Sequence, residues 1–261
     1  MKSLQIAATG MAAQQLRVEV ISNNIANMST AAYRPRVAEF SDLMYQQYLT
    51  PGTITSQTGT IVPTGVQLGT GVRPSTVSMQ VTQGGLEETG SELDLAIDGT
   101  GFLELTLPSG DPVYTRDGKL SRSPTGEVVS MDGYPLADGI VIPNDARRIS
   151  VGRDGEVVAY FDGGTPSQSI GTISLARFVN EKGLEAIGDN LFRETEASGT
   201  ATRLVAGTDG MGLLRQGYLE GSAVDVVKEI SHLIEAQRGY ELNSKVITAS
   251  DEMLAATTRV R

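Results

Sequence analysis

Apolar residues near the end of the chain recur at helical spacing. From Ser222 to Arg261 there is no proline, and Gly239 is the only glycine. Val226, Ile230, Leu233, Tyr240, Ile247 and Leu254 fall at steps of three, four and seven, with Gln237, Ser244 and Asp251 in the gaps. A second line, Leu242, Val246, Ala249, Met253, Ala256 and Val260, keeps the same spacing one strip over. Such steps put residues on one face of a helix. A helix over 222–261 spans roughly 55 Å at about 1.5 Å per residue, against an average of about 11–12 residues. Length and stripe together predict a seam with a partner. The alternative is an amphipathic helix folded onto its own domain.

The start of the chain carries a matching pattern. Leu4, Ala8, Met11, Gln15, Val18, Ile21 and Ile25 repeat at steps of three and four, predicting a helix from Ser3 to about Asn27. Two stripes of one period at opposite ends predict that the termini pair, and polar residues within the stripes fix register at some cost in stability. Gly10 costs about 1 kcal/mol in a helix interior relative to Ala, so packing must order this helix. Asn24 and Asn27 stand where it ends, and their simplest reading is capping. Pro35 turns Arg34 away from helix.

Between these ends the period changes. Residues Glu39 to Tyr48 read as a short connecting helix, followed by a Gly-, Thr- and Gln-rich extended stretch to Arg73. From Ser75 the period is two: Val77, Met79 and Val81, then Leu93, Leu95 and Ile97, then Leu103, Leu105 and Leu107. Asp-Gly pairs at 98, 117, 132, 138, 154, 162 and 209 punctuate these runs, a hairpin and tight-turn signal. The fold class predicted is α+β. N- and C-terminal helices pair as a coiled-coil-like layer, and a mostly antiparallel, hairpin-rich β domain is inserted between them. The expected parts are residues 1–33, 34–73, 74–204 and 205–261.

Composition narrows the function. The net charge is −10 over 261 residues, which argues against nucleic acid, since phosphate contacts need clustered Lys and Arg. No apolar run approaches the ~18 residues that span a bilayer, so no membrane insertion is expected. Lys2 and the residues after it resemble a signal peptide faintly, but Gln5, Thr9 and Gly10 interrupt the apolar run, and the segment is expected to stay on the chain. With no Cys and a single His, His232, neither a Cys nucleophile nor a common zinc site can be assembled. Asp94 and Asp98 lack the spacing of a calcium loop and read as turn residues. Gly69-Thr-Gly71 and Gly99-Thr-Gly101 do not open helices and are not phosphate loops. No cofactor, no metal, no catalytic residue and no small-molecule substrate are expected.

Three stretches carry a resemblance. Ser3-Leu-Gln-Ile-Ala-Ala-Thr-Gly-Met-Ala-Ala-Gln-Gln with Val20-Ile-Ser-Asn-Asn-Ile-Ala-Asn-Met-Ser-Thr, then Asp94-Leu-Ala-Ile-Asp-Gly-Thr-Gly-Phe with Tyr114-Thr-Arg-Asp-Gly, then Gln216-Gly-Tyr-Leu-Glu-Gly-Ser with Gln237-Arg-Gly-Tyr-Glu-Leu-Asn-Ser-Lys, resemble the bacterial flagellar rod and hook proteins. The length, and residues 45–73 ending in Gly69-Thr-Gly-Val-Arg-Pro, resemble the distal-rod members. Two departures stand in one turn: Ala32 precedes Tyr33 where the family commonly has Gly, and Pro35 replaces a usual basic residue.

The resemblance implies a structural subunit, exported without a cleaved signal, that polymerises with its own copies into an open helical tube around the export channel. It implies proximal rod proteins below, hook protein above and an outer ring bushing around it. The assembly interface it implies runs through Leu4, Ala8, Met11, Val18, Asn24, Ile25 and Asn27, and through Val226, Ile230, Leu233, Tyr240, Ile247 and Leu254. The rod-type inter-subunit segment it implies includes Gln57, Val62, Val66, Leu68, Val72 and Arg73. Two readings stay open beside it: a proximal rod or hook subunit of the same family, and a soluble β-rich binding module with a polar cleft.

Overall fold

The computed structural model describes residues 2–51, 64–162 and 166–259. The chain forms two compact units. The first is helical and combines Met1–Ala26, Arg36–Met79 and Asp225–Arg261; the second is β-rich and combines Asn27–Pro35 with Gln80–Val224.

In the helical unit, α1 (Lys2–Ala26) is followed by β1 (Arg36–Asp42), β2 (Tyr45–Leu49), β3 (Val66–Gly69) and β4 (Val72–Met79), and α2 (Val226–Arg259) closes the chain. β1 pairs antiparallel with β4 and β2 with β3. This corrects the short helix expected over Glu39 to Tyr48, which is strand. The partner strand supplies the reason: Val37 pairs Ser78 and Ala38 pairs Val77, across a gap of about forty residues that no local pattern reveals. Pro74 is tolerated because each of these ribbons has only two strands and so is all edge.

In the β-rich unit the strands are β5 (Leu86–Glu88), β6 (Leu95–Asp98), β7 (Leu103–Thr106), β8 (Pro112–Thr115), β9 (Leu120–Arg122), β10 (Val128–Ser130), β11 (Ala146–Val151) and β12 (Glu156–Phe161). They continue as β13 (Gln168–Thr172), β14 (Ser174–Arg177), β15 (Glu185–Gly188), β16 (Leu191–Arg193), β17 (Thr202–Val205), β18 (Leu213–Gln216) and β19 (Tyr218–Glu220). The largest sheet runs β15-β16-β8-β7, and β11-β12-β13 form another. Ile97, Leu103, Leu105, Val113 and Leu175 are fully buried at their centre. Phe102 meets Phe178 and Phe192 edge-on at 5.8 and 5.9 Å, the geometry the ring quadrupole favours. Within the part expected at 205–261, β18 and β19 precede the terminal helix and pair with β6 and β5.

One buried ion pair ties the motif stretches of this unit together. Arg116 and Glu220 are both almost inaccessible, with nitrogen and oxygen 2.8 Å apart. Arg116 also donates to the carbonyls of Ile97, Gly99 and Gly101 at 3.2, 3.0 and 2.7 Å. Glu220 accepts a bond from the Gly84 amide at 3.1 Å, and its carbonyl accepts one from Ala32 at 2.8 Å. Burial holds the Arg116 pKa below its ordinary value, and the Glu220 carboxylate offsets only part of that. Gly99 sits at φ 118°, and a Cβ there would come within 2.9 Å of Gly212 Cα, so only glycine fits.

Ala32 sits at φ 56° and is buried. That is the left-handed conformation, which costs an L-residue about 1–2 kcal/mol, at the position where the resembled family commonly has Gly. The bonds Ala32 N–H to Glu220 O and Ala223 N–H to Tyr33 O hold the turn in place.

Two outcomes follow for urea unfolding. Ala32→Gly should stabilise the β-rich unit by about 0.5–1 kcal/mol, the relieved strain exceeding the added chain entropy. Arg116→Met should cost about 3–5 kcal/mol by stranding a buried carboxylate, and adding Glu220→Leu should recover part of that loss.

Candidate assembly interface

The two long helices of the helical unit run antiparallel, and their contacts define the line along which they meet. Ser250 Oγ lies 3.4 Å from Ser3 Oγ. Gly10 faces Asn243, and Gly239 faces Gln14, each so closely that a Cβ would lie 2.9 and 3.1 Å from the opposing side chain. Arg17 pairs with Glu235 at 3.5 Å, and Asn24 donates to Glu229 at 3.3 Å. The steps up α1 match those down α2 to within one residue, so the register holds from end to end. The residues on this line are small or polar; the apolar ones buried beside them are Ala7, Ala13, Ile21 and Ala236.

Asn24 does more than end a helix. Its amide donates to the Arg36 carbonyl at 2.8 Å and accepts from the Arg36 N–H at 2.9 Å, as a neighbouring strand would. One side chain thus joins α1, β1 and α2, and it is 1% exposed. Thr9 plays a similar part for β4: its hydroxyl donates to the Ile6 carbonyl and accepts from Val72 N–H at 3.3 Å. Gly71, at φ 125°, lies so close that a Cβ would stand 2.2 Å from Thr9 Oγ1. The Gly-Thr-Gly-Val sequence is thereby explained as a close crossing of strand and helix.

The apolar residues expected to line the interface are displaced from this seam. Leu4, Met11, Val18 and Ile25 on α1 are half-buried, and Ala8 is exposed. On α2, Val226, Leu233 and Ile247 are half-buried, while Ile230, Tyr240 and Leu254 are exposed. Val18 and Tyr240, with Gln15, Gln237 and Glu241, line an open notch of about 360 Å³. Val227 is 75% exposed and Leu242 is 62% exposed, and Ile234 and Val246 also face outward. Asn27, half-buried, lies just beyond α1 and belongs to the β-rich unit. The contact line Gly10, Gln14, Arg17, Glu229, Asn243 and Ser250 does not follow the apolar stripes. Its signal was a row of small and polar residues at steps of seven.

The β2–β3 ribbon is apolar on the outside as well. Met44, Tyr45, Tyr48, Val66 and Leu68 are exposed. Lys2 holds the ribbon near α1, bonding Gln46 and Tyr48 with its ammonium 4.4 Å from the Tyr48 ring centroid. Val72 begins β4 and Arg73 beside it is exposed, paired with Ser41 in register. Gln57 and Val62 lie outside the described residues.

His232 sits in a second cleft of about 280 Å³ with Gln14, Arg17, Arg36 and Glu229. Among the described residues no group of three or more His, Cys, Asp or Glu could hold a metal ion, and no helix is long and apolar enough to cross a membrane. The surfaces on offer are apolar and extended, which suits a macromolecular partner.

Comparisons with known proteins agree on one group. Residues 4–34 match the family described as flagella basal body rod protein, residues 96–159 the D1 domain of flagellar hook protein FlgE/F/G, and residues 215–260 the C-terminal part of flagellar basal body rod FlgEFG protein. The chain is 52% identical over 261 residues to the flagellar basal-body rod protein FlgG of Caulobacter vibrioides, covering 100% of both chains. It is 45% identical to that of Agrobacterium fabrum, covering 99% of both, and 38% identical to that of Bacillus subtilis, covering 97% of both.

Gly71→Ala tests the helix–strand crossing. Strain of about 1–3 kcal/mol should speed amide exchange around Thr9 and Val72 at least several-fold, while the exchange of β7 and β8 stays unchanged.

Proposed function

Because the chain belongs to the FlgG family of flagellar basal-body rod proteins, we propose that its exposed apolar helix faces are the contacts by which copies assemble into the distal rod. The chain is a structural subunit of the flagellar basal body and not an enzyme. In this reading α1 and α2 form a coiled-coil-like inner layer around the export channel. The β-rich unit forms the outer layer, and residues 45–73 bridge neighbouring subunits. The tube transmits torque across the periplasm. Proximal rod proteins adjoin one end, hook protein the other, and a ring bushing encloses it. The subunit reaches the rod by export without a cleaved signal.

One observation carries the assembly reading. The helix pair closes its own seam with small and polar residues, yet leaves Val227, Ile230, Ile234, Leu242 and Val246 outward. A fully buried Val, Leu or Ile side chain contributes about 1.5–3 kcal/mol. A row of them facing water is a contact surface awaiting a copy, and heterologous contacts of this kind build open helical filaments.

Leu233→Asp or Ile247→Asp should block polymerisation while the β-rich unit stays folded. Sedimentation and circular dichroism of each variant read the two parts separately. Normal rods from both variants would count against the helical interface.

A further inference from the structure

The chain's charge is confined to one of its two units. Of 21 Lys and Arg and 31 Asp and Glu, the helical unit holds nine of each and is neutral. The β-rich unit holds the remaining twelve and 22, and so carries the whole net charge of −10. Six of its cations are already engaged by acids of the same unit, through Arg34–Glu181, Arg116–Glu220, Arg147–Asp162, Arg193–Glu185, Arg203–Glu104 and Arg215–Asp98. Glu88, Asp132, Asp145, Glu156 and Glu196 are among the exposed acids beyond those pairs.

We propose that electrostatic repulsion between the β-rich units of adjacent copies opposes the attraction of their neutral helical units, so that screening of the β surface sets the concentration at which the chain polymerises. This inference rests on the assembly reading above. It follows from range: like charges on facing surfaces act over about 30 Å at 0.01 M salt and about 10 Å at 0.1 M, whereas apolar contact acts only at touching distance. Self-repulsion of a strongly charged surface keeps copies apart in dilute salt. The helical unit, having equal numbers of both signs, adds no net charge term of its own.

The test is the critical concentration of the full chain, measured by sedimentation from about 10 to about 150 mM NaCl. It is repeated for two surface variants of opposite sign. Glu88→Gln, Asp145→Asn, Glu156→Gln and Glu196→Gln together lower the negative charge; Arg148→Gln with Lys182→Gln raises it. The wild type should polymerise at a several-fold lower concentration in the higher salt. The first variant should polymerise readily in low salt with a flattened salt dependence, and the second should show a steeper one. A general loss of stability would shift both variants the same way, and the wild-type series stands without either. A salt-independent critical concentration, or equal slopes in all three chains, overturns the inference while leaving the assembly reading intact. Absence of polymer at every salt overturns both.

Discussion

The close approach of α1 to α2 and β4 is the constraint on which the helical unit depends. Gly71 stands where a Cβ would collide with Thr9, and Gly10 and Gly239 stand where one would press on the Asn243 and Gln14 side chains. The line where the helices meet is correspondingly made of small and polar residues, among them Ser3, Asn24, Asn243 and Ser250, and most of the large apolar side chains stand on its flanks. An ordinary two-helix seam places them at the centre and is satisfied by its own burial. Here the centre contributes register and the flanks contribute unspent apolar surface. An intramolecular pairing that is specific yet weakly hydrophobic leaves apolar surface on the outside of the helix pair.

The β-rich unit solves a different problem with the opposite means. Its core is dense in Leu, Ile and Val, and the buried Arg116–Glu220 pair fixes how distant stretches meet. Arg116 reaches the backbone of 97–101 while Glu220 receives Gly84 and, through its carbonyl, Ala32. Removing either partner leaves a charge in a medium that cannot solvate it. The Asp-Gly-Thr-Gly-Phe, Thr-Arg-Asp-Gly and Leu-Glu-Gly stretches are therefore architecture rather than chemistry. Their glycines and charges are what this junction requires.

Much of this was legible in the residues, and the failures have physical causes. Helices at both ends and a strand-rich middle follow from period 3.6 and period 2, because each buries one face. The Asp-Gly turns were readable for the same reason that Gly99, Gly133 and Gly155 adopt positive φ. The strand at Arg36–Asp42 was not, since its partner lies far along the chain and its own spacing mimics a helix turn. The line where α1 meets α2 is not legible from apolar spacing, because it is made of Ser, Gly, Gln, Asn, Arg and Glu. Val226, Leu233 and Ile247, which carry the apolar stripe, are half-buried, while Glu229 and Asn243 make the contacts with α1. Asn24 was read as a cap, because a side chain that imitates a strand is visible only once β1 is in place.

The most direct test uses the absence of native cysteine, which lets single cysteines report without background. Cysteine placed at Ile234, Leu242 or Val246 is labelled with a maleimide before and after polymerisation, with Met131→Cys on the β-rich unit for comparison. The account predicts rapid labelling of all in the monomer and strong protection of the α2 positions in the polymer. Equal labelling of the α2 positions in monomer and polymer would contradict the claim that these outward apolar faces join the subunits.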